Sequence, residues 1–79
     1  MQDVTINGAA APYRRDLRGA DLAYEFCLML DKLRPGDTLI IPNSVFVHLG
    51  PDHEVSPPPY PHTRWRDARG ESLCVRRDG

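Results

Sequence analysis

Leu22, Phe26, Met29, Leu30 and Leu33 fall at i, i+4, i+7, i+8 and i+11, which is one continuous face of an α-helix. The spacing predicts a helix over residues 20–33, with Ala23 flanking the stripe and Asp21 in the first turn, where the helix dipole favours negative charge. Pro35 cannot continue a helix and biases Arg34 away from helical angles, so the element stops near Leu33. Arg34-Pro35-Gly36-Asp37 then reads as a turn, and Thr38–Ile41 as an apolar strand ended by Pro42. Upstream, the alternation of Val4-Thr5-Ile6-Asn7 predicts a short strand closed by Gly8. Residues 8–12 are small and flexible, giving a connection, and residues 13–18 form a charged lead-in to the helix.

After Pro42 the apolar pattern resumes from Ser44 to Leu49. A strand over Val45–His48 is the simplest expectation, and a helical turn capped by Asn43 is the alternative. Residues 50–62 hold five of the eight prolines and read as a proline-rich loop, with polyproline II from Ser56 to Pro61 acting as a stiff spacer laid across the domain. Thr63–Arg66 and Ser72–Arg76 alternate around Asp67–Glu71, predicting a C-terminal β-hairpin with Gly70 at a positive φ. In that hairpin Trp65, Leu73 and Val75 are expected to face the core, and Arg64, Arg66, Cys74 and Arg76 to face outward.

These elements give an α+β fold class: a single helix packed on a small, mostly antiparallel sheet of three to five strands, in one domain over residues 1–79. Leu22, Phe26, Leu30 and Leu33 are expected to meet Ile6, Leu39, Ile41, Val45, Val47, Trp65, Leu73 and Val75. A chain of 79 residues hides only about 60–65% of the surface its unfolded form exposes, so its stability is marginal and it has little room for a pocket. Tyr24 and Leu28 break the helical pattern, lying opposite the apolar stripe beside Asp21 and Asp31. Either a loop covers them or they form a protein-contact surface.

Composition narrows the function classes. Ten basic residues against eleven acidic ones remove a global electrostatic case for nucleic acid or membrane binding. Nine of the ten basic residues are arginine, spread along the chain, as codon usage in a GC-rich genome produces. No basic region followed by a long apolar run opens the chain, and no apolar stretch nears the ~20 residues of a membrane span. With Cys27 and Cys74 far apart and expected as free thiols, a cytoplasmic setting follows.

Catalytic signatures are missing from the pattern. Ser44, Ser56 and Ser72 sit in no nucleophile-elbow setting, and the six glycines form no phosphate-cradling loop. His48, His53 and His62, with Asp52 and Glu54, lie within fifteen residues, but their spacing matches no closed zinc site, so no metal or cofactor is expected. The segment Leu33-Arg34-Pro35-Gly36-Asp37-Thr38-Leu39 resembles part of the catalytic domain of serine recombinases, yet no serine precedes Ser44 to supply that family's nucleophile. Gly36-Asp37, Pro42-Asn43-Ser44 and His48 are similar to the second cupin motif, with Ser44 in place of its glycine and His48 one position late. No histidine precedes His48 to make the first cupin motif. Two unrelated families matching one segment mark it as generic, and neither contributes site residues.

The leading expectation is therefore a small non-catalytic protein-binding module, not an enzyme. It would be an inhibitor or adaptor of the phage or mobile-element type, such as an anti-defence or anti-CRISPR-like protein. Its partner would be another protein or a nucleoprotein complex, met through Tyr24, Leu28, Arg64, Arg66 and Arg76. An alternative is a nucleic-acid-binding domain using the hairpin arginines, since residues 63–77 hold five arginines against Asp67 and Glu71. A metal-dependent enzyme built on His48, His53 and His62 is the remaining class.

Overall fold

A computed structural model describes residues 3–79; Met1 and Gln2, included in the single-domain expectation, lie outside the described residues. Five antiparallel strands form one sheet in the order β2-β1-β3-β5-β4, and one long helix packs on it, an α+β arrangement. The strands are β1 (Thr5–Ile6), β2 (Ala9–Ala10), β3 (Thr38–Pro42), β4 (His62–Arg66) and β5 (Ser72–Arg77). The long helix, α1, spans Gly19–Asp31.

Helix α1 forms on the predicted stripe, with Leu22, Phe26, Met29 and Leu30 buried and Asp21 in its first turn, but it ends at Asp31 with Lys32 as its cap, two residues short of the expected Leu33. Those residues share a core with Leu33, Leu39, Ile41, Leu73 and Val75, and Val4, Ala11, Leu49 and Val55 close its ends. The turn after the helix is tied from three sides. The Asp37 carboxylate accepts from the Arg34 N–H at 3.0 Å and from Asn7 Nδ2 at 2.8 Å, and the Gly36 N–H donates to the Arg77 carbonyl at 2.8 Å. This one turn therefore registers β3 against both β1 and β5.

Four expectations are corrected. The connection over residues 8–12 contains a strand: Asn7 and Gly8, at φ 54° and 85°, make the two-residue turn of a β1–β2 hairpin with Ile6 opposite Ala9. Successive left-handed residues match the twist of the flanking strands, and Asn-Gly reaches them at low cost. Val45–His48 is not a strand; Asn43–Phe46 forms a helical turn, α2, continued by a 3₁₀ turn over Val47–Leu49. Asn43 does not cap it, because its side chain donates to the Gly70 carbonyl at 2.8 Å and accepts from Arg66 Nη1 at 2.7 Å. Within that turn Leu49 enters the core, while Val47 is turned out and stays 68% exposed.

The fourth correction concerns Trp65, which faces away from the core. Trp65 pairs with Cys74, and Arg64 and Arg66 pair with Val75 and Leu73, one residue out of the expected alignment. Asp67 causes the shift. Its carboxylate accepts from the Glu71 N–H at 2.7 Å and the Arg69 N–H at 3.2 Å, and its own N–H pairs with Ser72. The loop is thereby shortened to residues 68–71, with Gly70 at φ 67°. A one-residue slip sends every side chain of a strand to the other face.

The proline-rich segment lies across the helix side of the domain, burying Val55 and Pro58. Tyr60 Oη donates to the Leu30 carbonyl at 2.7 Å, adding to the Leu33 N–H that donates to the same oxygen at 3.2 Å near the end of the helix. Arg77 sits over the Tyr60 ring at 4.4 Å and donates to the Leu33 carbonyl at 2.6 Å. Tyr60→Phe should cost about 1 kcal/mol in urea unfolding, the net worth of one such hydrogen bond, while leaving the spectrum of the folded chain unchanged. A loss as large as that of a core truncation would mean the ring, not the hydroxyl, holds the segment.

Candidate binding surfaces

The sheet has two unlike faces. Leu39, Ile41, Leu73 and Val75 point to α1, and α2, the N-terminal lead-in and the proline-rich segment all place residues in or against that same core. No element among the described residues covers the opposite face. Cross-strand pairing lines Thr5, Ile40, Cys74 and Trp65 into one row there. Trp65 is 38% exposed at the end of the row, Ile40 is half-buried, and Cys74 is buried. Burial and then the charge of Asp67 push the Cys74 thiol up, so it stays a protonated packing group. Both cysteines are free thiols.

Beside Trp65 stands Arg76, its guanidinium 5.7 Å from the ring centroid. Arg76 Nε donates to Asp78 Oδ1 at 2.9 Å, and the Thr63 hydroxyl donates to Asp78 Oδ2 at 2.6 Å. The Asp78 carboxylate is held below its ordinary value of 3.8 by the Thr63 hydroxyl first and Arg76 second. The arginine is thus fixed over the indole and its charge is answered locally.

The residues singled out by sequence do not form one site. Tyr24 is 64% exposed and Leu28 half-buried on the outer side of α1, away from the sheet. Arg64 and Arg66 project to the helix side of β4, where Arg66 lies 5.4 Å from the Phe46 ring. Of Arg64, Arg66 and Arg76, only Arg76 shares a face with Trp65. The expectation that Arg64, Arg66 and Arg76 line a common surface fails for the same reason as the burial of Trp65, the one-residue shift set by Asp67. Trp65 and Ile40 are the surface residues that sequence reasoning missed; the alternation was present, but its phase in β4 depended on the loop.

A second feature overturns the expectation of no pocket. A groove of about 480 Å³ opens between the lead-in to α1 and α2. Leu17, Leu22 and Val45 floor it, and Arg18, Ser44 and His48 rim it. Ser44 and His48 are one helical turn apart on the α2 segment. Asp3, Tyr13 and Arg15 close one side. Arg15 Nη2 donates to Asp3 Oδ2 at 2.6 Å, Tyr13 Oη donates to Asp3 Oδ1 at 3.2 Å, and the Arg15 guanidinium lies 4.6 Å from the Tyr13 ring centroid. Burial and then Asp3 push the Tyr13 phenol up, keeping it protonated as the donor of this trio.

The Arg15 hydrogen bond holds Asp3 below its ordinary value of 3.8, and the Arg34 N–H does the same for Asp37. A carboxylate whose folded value lies below its unfolded one stabilises the fold fully above about pH 4, and that contribution is lost as pH falls through the lowered value. Urea midpoints should therefore stay flat from neutral pH to about 4 and then drop. Asp37→Asn should remove part of that acid-side slope, because an amide at this position carries no titrating charge for the Arg34 N–H and Asn7 Nδ2 to favour.

The three histidines are dispersed. His48 rims the groove, His53 Nδ1 lies 3.2 Å from the Leu49 carbonyl, and His62 Nδ1 lies 2.9 Å from the Tyr60 carbonyl. Among the described residues no three histidine, cysteine, aspartate or glutamate side chains come together as a metal site, and no helix is long and apolar enough to cross a membrane. Comparison with known protein families, curated proteins and solved structures finds no match to the chain.

Proposed function

We infer that this chain is a small non-catalytic protein-binding module, an inhibitor or adaptor, that meets its partner through the open face of its sheet. The observation that carries this reading is Trp65, left part-exposed on a sheet face that no element covers, with Arg76 fixed over its ring. Tryptophan and arginine dominate the energetic centres of protein interfaces, and a rigid ring on a sheet loses little entropy on docking. Half-buried Ile40 and Thr5 continue the row from Trp65 without charge, with buried Cys74 lying between Ile40 and Trp65. The partner surface it suits is apolar and sparsely charged.

The same outward Trp65 favours a nucleic-acid contact in one respect, since single-strand binders stack bases on exposed rings. Charge decides between the two. A nucleic-acid groove needs several unanswered cations along the backbone track, and among the described residues Arg76 is the one cation against the ring, paired with Asp78. Capture from lysate at rising salt separates the readings. Under the protein-binding reading a protein co-purifies with the wild-type chain, survives about 0.2 M salt, and is absent with Trp65→Ala but retained with Tyr24→Ala. Retention of the same partner by Trp65→Ala would overturn the assignment of the face.

A further inference from the structure

The groove between the lead-in to α1 and α2 lies on the helix side of the sheet, apart from the Trp65 face, and its chemistry is specific. Its floor is apolar, made by Leu17, Leu22 and Val45. Its charges do not balance. Arg15 is answered by Asp3 at 2.6 Å, whereas Arg18 meets no carboxylate within ion-pair distance among the described residues. Arg18 spends Nη1 on the carbonyls of Arg15 and Leu17, at 3.2 and 2.7 Å. Those two bonds fix the guanidinium and leave Nε and Nη2 for a ligand. Ser44 and His48 stand on the facing element, each offering a polar group with no protein partner among the described residues.

We propose that this groove binds a small carboxylic acid with a compact apolar body, its carboxylate taken by Arg18 with Ser44 and His48 opposite and its body laid on Leu17, Leu22 and Val45. Among the described residues Arg18 has no carboxylate in ion-pair distance and is answered only at longer range, by Asp16. Such a guanidinium beside hydroxyl and imidazole groups suits a monoanion, because planar arginine meets a carboxylate with two parallel N–H bonds. A phosphate dianion calls for more positive charge than the groove supplies. The volume of about 480 Å³ lies in the range of small-ligand sites, which are mostly apolar with a few placed polar groups. The acid can come free or as the C-terminal carboxylate of a peptide, and the chemistry at Arg18 is the same.

The test is an amide-resolved NMR titration of the full chain with phenylacetate, its neutral analogue phenylacetamide, and an N-acetylated peptide ending in a free phenylalanine carboxylate. Phenylacetate should give saturable shifts in residues 17–22 and 44–48 at roughly millimolar concentration, as a ligand of that size reaches. Phenylacetamide should bind at least about fivefold more weakly, and Arg18→Gln should weaken phenylacetate about tenfold while Arg64→Gln leaves it unchanged. If the peptide binds more tightly than the free acid, the groove takes chain termini; the reverse assigns it to free acids, and either order upholds a carboxylate site. No saturable shift up to about 10 mM, or equal binding of acid and amide by the wild-type chain, overturns the proposal. The acid–amide comparison needs no variant, so it decides even if Arg18→Gln fails to fold.

Discussion

Phe26→Ala should sharply lower the urea midpoint of the chain, and unfold it outright where the total stability lies at the low end for this length. Phe26 is 0% exposed at the middle of α1, in the core that joins the helix to Leu39, Ile41 and Val75, and its ring packs on Tyr13 with centroids 6.4 Å apart. Removing a buried phenylalanine costs about 3–5 kcal/mol, through lost transfer energy and the cavity left behind. A domain of this length has about 4–12 kcal/mol of stability in all, so the deletion takes about a quarter of it or more. Circular dichroism should show lost helix at ambient temperature, or a urea midpoint far below the wild type. Val47→Ala is the matched control, because Val47 is 68% exposed and should move the midpoint within about 0.5 kcal/mol. Similar losses for both would mean that α1 does not pack on the sheet as described.

Trp65→Ala should do the reverse, sparing the fold and removing binding. Truncating a tryptophan at the centre of an interface costs about 2 kcal/mol or more, at least about thirtyfold in affinity. The part-exposed ring contributes less to folding than a buried one would, so the urea midpoint should shift by less than for Phe26→Ala. Two readouts come with the site. Trp65 is the single tryptophan of the chain, so its emission should shift to the blue when a partner covers it. It also sits across the ladder from buried Cys74, whose thiol should react faster with an aromatic disulfide once the indole is gone. An unchanged affinity with intact fold would place the contact elsewhere, with exposed Tyr24 next in line.

Much of the fold was legible because it rests on local chemistry. The stripe from Leu22 to Leu30, a helix stop ahead of Pro35 and a strand from Thr38 each follow from neighbouring residues and stand in the structure, with the strand running one residue further, into Pro42. The first hairpin was missed although Asn7-Gly8 announces it, since strands of two residues are too short to show alternation. Residues 45–48 could be strand or helix by composition, and the helix is set by tertiary bonds that take Asn43 to Gly70 and Arg66. The candidate sites were hardest to see. The face occupied by Trp65 turns on which amides the Asp67 carboxylate accepts, a choice that alternation alone does not encode. The groove draws on Leu17, Arg18, Ser44 and His48, which only the packing of α2 against the α1 lead-in brings together.

The strand order has a consequence for how the protein behaves in concentrated solution. β4 is outermost, so one row of its backbone donors and acceptors is open to any passing extended chain, including a second copy. Antiparallel pairing of two β4 edges centred on Arg64 would set arginine directly against arginine, with each Arg66 opposite His62. Like charges placed opposite each other on adjacent strands repel. The charge of Arg64 therefore works against this register of edge-to-edge growth.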